Sequence, residues 1–247
     1  MSPRAKAEPP AEKKARGRKI LAILAKTYPD ARIELRSSTP LELLVATILS
    51  AQCTDERVNV VTADLFPRYR TARDWAAIEP ARLEQEIYST GFYKAKARSI
   101  LGVARALLER HGGEVPRTAE ELTALPGVGR KTASVVLGNA FGIPALAVDT
   151  HVFRVSQRLA LARAEAADEV TDQLCELLPR DSWTQATHLL IWHGRRTCFA
   201  RKPTCPACTV RALCPWPEKT VEGPPVPVPA GPPARSRSSP PARKGRK

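Results

Sequence analysis

A run of four closely spaced cysteines in the last third of the chain constrains the fold more than any other feature. Cys198, Cys205, Cys208 and Cys214 follow the spacing C-x6-C-x2-C-x5-C in CFARKPTCPACTVRALC. Thiolates this close in sequence can surround one metal centre, and four of them suit either a tetrahedral zinc ion or a [4Fe–4S] cluster. Structural zinc sites usually show two separated C-x2-C pairs, whereas this run has one, which favours iron–sulfur.

Disulfides in a secreted domain are the alternative reading of this run. The N-terminus lacks the apolar segment of a signal peptide, and no apolar stretch reaches the length of a membrane span. We therefore expect an intracellular protein, in which thiols stay reduced and bind metal. The other two cysteines, Cys53 and Cys175, lie far apart and are interpreted as small buried residues.

Most of the positive charge is at the two ends of the chain. The net charge is +14, and residues 1–19 and 217–247 together supply ten of these charges. Both ends are rich in proline, lysine and arginine without apolar periodicity, so the sequence predicts disordered basic tails over 1–19 and 218–247. Such tails bind polyanions with little sequence preference, or simply keep a protein soluble.

The middle of the chain follows a helical period almost throughout. Leu41, Leu44, Val45 and Ile48 form one apolar stripe, with Pro40 at the expected start of the helix. No alternating pattern is sustained, and hydrophobic residues make up 43% of the 247, which is enough for a sizeable core. The sequence therefore predicts an all-α protein with short connections.

A helix-hairpin-helix is predicted around Pro126-Gly127-Val128-Gly129. A capping-box pattern at Thr118 opens the helix before it, and a helix from Arg130 to Ala140 follows. The glycines allow a tight turn and expose backbone N–H groups at a helix N-terminus, which is an anion site suited to a DNA phosphate. The simpler alternative is an ordinary packing motif of two helices.

Lys131 and Asp149 are the candidate reactive residues. Lys131 lies in the first turn of the hairpin's second helix, where a cation opposes the helix dipole. This costly placement suggests a nucleophilic role, and the alternative is an exposed lysine that is merely solvated. Asp149, in AVDTHVF, is predicted to cap the N-terminus of a helix. A carboxylate at a cleft edge also stabilises a developing sugar cation, and the two roles are compatible.

Three signatures occur in the order LPGVGRKTASVVL, AVDTHVFRV and the cysteine run, and together they resemble endonuclease III. This family comprises helix-hairpin-helix, iron–sulfur DNA glycosylases of base excision repair. The resemblance covers about residues 20–217 and includes LLVATILSAQCTD and YSTGFYKAKARSI. It implies that the four cysteines hold a [4Fe–4S] cluster.

The resemblance implies a bifunctional DNA glycosylase and AP lyase. Lys131 would attack C1′ of the damaged nucleotide and form a Schiff base, Asp149 would assist, and β-elimination would nick the strand. The usual substrates are oxidised pyrimidines such as thymine glycol. Related adenine glycosylases generally lack this lysine, so Lys131 favours the bifunctional enzyme. Two alternatives remain, a monofunctional glycosylase and a non-catalytic DNA-binding module.

The implied fold has two helical lobes flanking a DNA-binding cleft. One is a six-helix barrel over 37–145 with the hairpin, and the other joins 20–36 to 146–217 and holds the cluster. Gln52 would fill the space of the flipped base and Phe92 would wedge beside it. Two alternatives remain open, in which Gln52 is an ordinary polar residue and Phe92 a core aromatic. Further expected DNA contacts are Gly127, Gly129, Arg130, Arg201 and Lys202.

The expected partner is double-stranded DNA with damaged pyrimidines or abasic sites, and the protein is expected to act as a monomer without a membrane. The alanine-, arginine- and proline-rich composition suggests a GC-rich bacterium, hence a cytoplasmic, nucleoid-associated enzyme. A eukaryotic source would place it in the nucleus or mitochondrion. Cys53 and Phe92 depart from the residues expected there, alanine and leucine, which bears on substrate preference and leaves the reaction class unchanged.

Overall fold

The computed structural model describes residues 8–221, and the remaining parts of both predicted tails lie outside the described residues. This range contains α- and 3-10 helices and no β-strand, which confirms the all-α class. The α-helices, in chain order, are α1 Pro10–Thr27, α2 Pro40–Leu49, α3 Asp55–Leu65, α4 Ala72–Ala76, α5 Pro80–Glu86, α6 Tyr93–Arg110, α7 Ala119–Thr123, α8 Arg130–Ala140, α9 Thr150–Arg158, α10 Ala167–Leu177 and α11 Trp183–Arg196.

Local sequence explains where several helices begin. Pro40 occupies the first turn of α2, where its missing N–H costs nothing, and the Thr39 side chain accepts from the Glu42 backbone N–H. Thr54 and Thr118 cap α3 and α7 in the same way. These short polar side chains satisfy N–H groups that have no partner inside the helix.

Buried hydrophobic residues form two separate cores, one in each lobe. The first runs from Leu35 to Leu137 and includes the fully buried Trp75, and the second combines residues 20–31 with residues 146–210. The chain therefore enters the second core with α1, leaves it to build the first, and returns after α8. Cys53 packs partly buried against the first core and Cys175 against the second.

Helix α1 begins at Pro10, so the prediction of disorder over 1–19 is wrong for residues 10–19. Arg16 explains the difference, because its guanidinium donates to Leu159 O at 2.7 Å and Leu213 O at 3.2 Å. Gly17 is buried, and a Cβ there would contact Leu178 at 3.4 Å. A basic side chain and a glycine thus form the contact face, and neither gives an apolar signal in the sequence.

The predicted C-terminal tail begins slightly too early. Thr220 Oγ1 accepts a hydrogen bond from Cys205 N at 3.3 Å and donates to Pro203 O. Residues 218–221 carry no helix but are attached to the cysteine loop. The disorder predicted for these four residues is therefore wrong, because the loop offers backbone partners that the local composition does not reveal.

Direct hydrogen bonds join the two lobes beside a cleft. His188 Nε2 on α11 donates to Asn139 Oδ1 on α8 at 2.8 Å, since the amide nitrogen of Asn139 is committed to Val135 O. The Ala145 backbone N–H, shortly after the end of α8, donates to Thr184 Oγ1 on α11 at 3.4 Å. These contacts fix α8 against α11 and set the width of the cleft.

Candidate active site

A cleft with a cavity volume of about 100 Å³ lies between the two lobes. Lys131 and Asp149 both line it, together with Glu34, Asp55 and Arg195. Lys131 comes from α8 and Asp149 from the segment that leads into α9. The structure thus brings the two candidate reactive residues to one space, although 17 residues lie between them in the sequence.

Lys131 is an exposed residue in the first turn of α8. The N-cap of this helix is Gly129, which offers no side-chain capping bond, so the first backbone N–H groups are left for another acceptor. A Cβ built at Gly129 meets nothing within 4 Å. The start of α8 is therefore open enough for an anion to approach the backbone.

Asp149 caps α9, as its sequence position predicts. Its Oδ1 accepts from the Val152 backbone N–H at 2.7 Å. In the part of the chain that the structure describes, its Oδ2 makes no hydrogen bond and is left for the cleft. His151 lies next to it, and the pKa of His151 is lowered, chiefly by burial and further by Arg154 and Arg195.

The hairpin turn requires one glycine in particular. Gly127 has φ +74°, and a Cβ there would lie 2.3 Å from Ser99 Oγ. Both the left-handed backbone and the contact with α6 exclude a side chain. The turn therefore rests directly on α6 and presents the N-terminus of α8 toward the cleft side.

Arg130 is committed to α10 within the described residues. Its guanidinium forms an ion pair with Asp172 and lies 4.0 Å from Asp168. The hydrogen bond to Asp172 raises the pKa of Arg130, although burial opposes this. A DNA contact by Arg130, which the sequence predicts, would have to be made alongside or in exchange for this pair.

Gln52 and Phe92 line a second groove of about 230 Å³, next to the hairpin residue Gly127. Both adopt left-handed backbone conformations, with φ 52° and φ 48°. The Phe92 side chain is 66% exposed, so the reading of Phe92 as a core aromatic is wrong. An exposed large aromatic beside a groove is typical of a binding surface.

Arg201 and Lys202 are exposed in the loop between the first two cysteines of the run. Lys202 also has a left-handed backbone, with φ 48°. Non-glycine residues in this region of backbone space are uncommon and concentrate at functional sites. Of the other basic side chains near this loop, Arg196 stacks on Trp192, with 3.8 Å between the guanidinium carbon and the ring centroid.

The four cysteines of the run line one small apolar cavity and form no disulfide. Burial raises the pKa of the Cys208 thiol to about 11 and also raises that of Cys198. Arg158 Nη1 donates to Cys198 Sγ at 3.4 Å. Over residues 8–221, no three His, Cys, Asp or Glu side chains are grouped so that they could hold a single metal ion.

Comparisons with known proteins agree with this geometry. Residues 45–180 match the family model described as HhH-GPD superfamily base excision DNA repair protein. Endonuclease III of Synechocystis sp. is 51% identical over 206 residues, which covers 83% of this chain and 94% of the relative. Endonuclease III of Escherichia coli K12 is 44% identical over 206 residues, covering 83% and 98% of the two chains.

The chain belongs to the endonuclease III family. A solved non-covalent endonuclease III–DNA complex aligns with a TM-score of 0.79 at 48% identity, covering 82% of this chain and 95% of that one. A trapped endonuclease III–DNA covalent intermediate aligns with the same score and identity over 96% of its chain. As a member of the endonuclease III family, the protein is a DNA glycosylase and AP lyase of base excision repair.

One part of this endonuclease III cleft was missed by sequence reasoning. Arg195 pairs with Glu34 and, at 2.9 Å, with Asp55. Although burial opposes it, the hydrogen bond to Asp55 and the charge of Glu34 raise the pKa of Arg195. These pairs join the lobes at the cleft, and no local pattern around the three residues indicates them.

Hydrogen bonds from α9 also connect the cleft to the segment that begins the cysteine run. Arg154 Nε donates to Cys198 O at 3.2 Å and its Nη2 to Gly194 O at 3.0 Å. Arg158 Nη1 donates to Phe199 O at 2.7 Å. The helix that Asp149 caps is therefore bonded through Arg154 and Arg158 to Cys198 and its neighbours.

The described residues include no helix long and apolar enough to cross a membrane.

Proposed function

We propose that Lys131 and Asp149 are the catalytic pair of this glycosylase and AP lyase, and that its substrates are oxidised pyrimidines such as thymine glycol in duplex DNA. The observation that carries the proposal is that an exposed lysine and an aspartate from opposite sides of one cleft line the same cavity. A nucleophilic amine and a carboxylate that face one cavity are the two groups that covalent glycosidic cleavage requires.

In this reaction the Lys131 amine attacks C1′ of the damaged nucleotide. The glycosidic bond to the base breaks and the departing base takes up one amine proton. The C1′–O4′ bond then breaks, O4′ takes up the second amine proton, and the opened sugar is joined to Lys131 as a Schiff base. The Asp149 carboxylate stabilises the positive charge that develops on the sugar and relays these protons. Removal of a C2′ proton then expels the 3′ phosphate by β-elimination, and hydrolysis of the Schiff base returns the lysine.

Access to C1′ requires that the damaged nucleotide leave the stack. Extrusion costs a few kcal/mol, and a damaged base costs least. Gln52 would fill the vacated space and exposed Phe92 would wedge beside it, with the open backbone of Gly127 and Gly129 holding a phosphate near Arg130. Arg201 and Lys202 would contact the DNA backbone without reading sequence.

The four cysteines are proposed to hold a [4Fe–4S] cluster. They fit it because all four line one apolar cavity in which Arg158 already donates to Cys198 Sγ. Buried thiols with raised pKa values need positive charge to deprotonate, and iron would supply it. When bound, the cluster supplies structural support for the loop that carries Arg201 and Lys202, with no redox role in the cleavage.

The cluster proposal has a direct test in iron and sulfide content and in visible absorbance of the protein purified without oxygen. The expected result is about four irons per chain, lost on Cys208→Ser. Retention of full iron content by Cys208→Ser would contradict the assignment of this ligand, as would zinc in place of iron.

We also propose a monomeric enzyme of the bacterial cytoplasm, in line with its bacterial relatives.

The test of the catalytic proposal is borohydride trapping on a duplex with one thymine glycol, and on the same duplex with an abasic site. Reduction of a Schiff base gives a covalent protein–DNA band, which is expected for the native chain and absent for Lys131→Gln. Lys14→Gln, which changes an exposed lysine on α1, is the matched control. Base release without trapping would indicate a monofunctional glycosylase, and binding alone would indicate a non-catalytic module.

A further inference from the structure

Lys96 is a buried cation that the proposed chemistry does not use. It lies in the second turn of α6 and is only 4% exposed. Its burial lowers the pKa of the ammonium, while Cys53 nearby opposes this. Because removing a charge from water is costly unless it is compensated, a buried lysine requires specific partners.

The partners of Lys96 belong to two different segments of the first lobe. Its Nζ donates to Leu49 O at 2.8 Å and to Thr90 O at 2.8 Å. Leu49 is the last residue of α2, so its carbonyl lies at the negative end of the helix dipole. Thr90 ends the 3-10 helix Tyr88–Thr90, which immediately precedes α6.

Each of these segments leads to a residue with a left-handed backbone. Gln52 follows Leu49 by three residues and has φ 52°, and Phe92 follows Thr90 by two residues and has φ 48°. Such conformations cost about 1–3 kcal/mol each and persist only where the surroundings impose them. Phe92 is largely exposed, so packing of its own side chain does not impose the conformation.

Lys96 also contacts the second segment through its backbone. Its N–H donates to Phe92 O at 3.1 Å, as does the N–H of Ala95. Lys96, Gln52 and Phe92 line the same groove, with Gly127 of the hairpin on the other wall. One residue is thus bonded to the ends of both segments that flank the groove.

We propose that Lys96 is a positioning residue that fixes the spacing between Gln52 and Phe92, so that both side chains enter a damaged duplex in register. The inference rests on the proposed roles of Gln52 and Phe92 in base extrusion. A charge-assisted bond to two carbonyls is stronger than a neutral one and suits this task, because it must hold two strained segments against solvent.

The test compares two substrates of the full chain. Lys96→Met keeps the length of the side chain and removes its donors. Excision of thymine glycol from a duplex in single turnover is expected to fall about 10- to 100-fold, as for a misplaced reactive group. AP lyase activity on an abasic site in single-stranded DNA, which needs no insertion into a stack, is expected to stay unchanged.

The control is Arg105→Met, which removes one exposed charge from the same helix and is expected to leave both activities unchanged. Equal losses on duplex and single-stranded DNA for Lys96→Met would overturn the inference, because that pattern belongs to a merely structural residue. Where Lys96→Met fails to fold, Lys96→Gln removes the charge and shortens the side chain, so that it no longer reaches both carbonyls. The same comparison is then made below the unfolding temperature of Lys96→Gln, with the same expected loss on duplex DNA alone.

A mutant cycle separates this inference from the proposed function. In a Gln52→Ala, Phe92→Ala background, adding Lys96→Met is expected to cause no further loss of duplex excision. If the double alanine variant excises normally, the roles of Gln52 and Phe92 are wrong and Lys96 has nothing to position. If that variant is impaired but Lys96→Met adds its full effect, the roles stand and the Lys96 inference fails.

Discussion

Lys131 and Asp149 approach one cleft from the N-terminal ends of two helices, α8 and α9, that belong to different hydrophobic cores. Each residue is held by its own helix, and the distance between them depends on how the cores are joined. His188 and Arg195 on α11 bond to the first lobe on either side of this cleft. The geometry of the proposed catalytic pair is therefore a property of the interface between the lobes.

Asp149 has two separable roles, the helix cap that the structure shows and the catalytic carboxylate proposed above. Asp149→Asn is expected to unfold at the same temperature as the native chain, because asparagine caps a helix as well as aspartate. Excision should fall by at least about 100-fold for want of the charge. Asp149→Ala should lose excision activity as well as the helix cap, and the lost cap should lower the free energy of unfolding by about 1 kcal/mol. Thermal unfolding and single-turnover excision measure the two effects, and normal excision by Asp149→Asn would refute the catalytic role.

Gly127 and Gly129 differ in what a side chain would meet. Gly127→Ala is expected to destabilise the protein by more than about 1–2 kcal/mol, because its backbone is left-handed and the methyl group would collide with Ser99. Gly129→Ala should cost less, since its Cβ meets nothing within 4 Å and only the poorer capping by alanine counts against it. Denaturant titration measures both. Part of the Gly127→Ala cost should disappear in a Ser99→Ala background, and equal costs for the two glycines would contradict this account.

Arg201 and Lys202 are expected to act through DNA phosphates. Replacing both with glutamine should weaken binding and lower the slope of log affinity against log salt by about 2, one contact each. Cluster absorbance should persist. A matched pair on α1, Lys14→Gln with Arg18→Gln, removes the same charge from exposed positions. Fluorescence anisotropy at several salt concentrations gives the slope, and an unaltered slope for the loop variant would rule out these contacts.

His188 should make stability depend on pH. Burial lowers the pKa of His188 to about 4, from an ordinary 6.5. Between pH 6.5 and 4 the His188 imidazole is protonated in the unfolded chain and neutral in the folded chain. The free energy of unfolding therefore falls as the pH drops from 6.5 to 4, and it is constant above 6.5. At pH 5.5 the loss is roughly 1 kcal/mol.

The measurement for His188 is the free energy of unfolding at pH 7.5 and 5.5. His193 shares a pKa of about 4 for the same reason, so the native profile contains both losses and His188→Gln should remove one of them. An identical pH dependence in the variant and the native chain would show that His188 does not titrate across unfolding.

The sequence by itself determined the elements whose causes are local. Helical spacing of Leu41, Leu44 and Ile48 predicted α2, a proline and a threonine marked its start, and Asp149 was recognisable as the cap of α9. The cysteine run and the glycine turn were visible because each lies within one short segment. Three such segments in order were enough to indicate the family.

Only the tertiary structure decided the contacts that join distant segments. Helix α1 begins early because Arg16 donates hydrogen bonds to the carbonyls of Leu159 and Leu213. Arg195 forms an ion pair at the cleft because Glu34 lies opposite it. Arg130 faces Asp172 for the same reason. Hydrophobic periodicity and helix propensity indicate where a helix forms and which of its faces is buried. They carry no information on which partner, 42 or more residues away in these cases, a given side chain will meet.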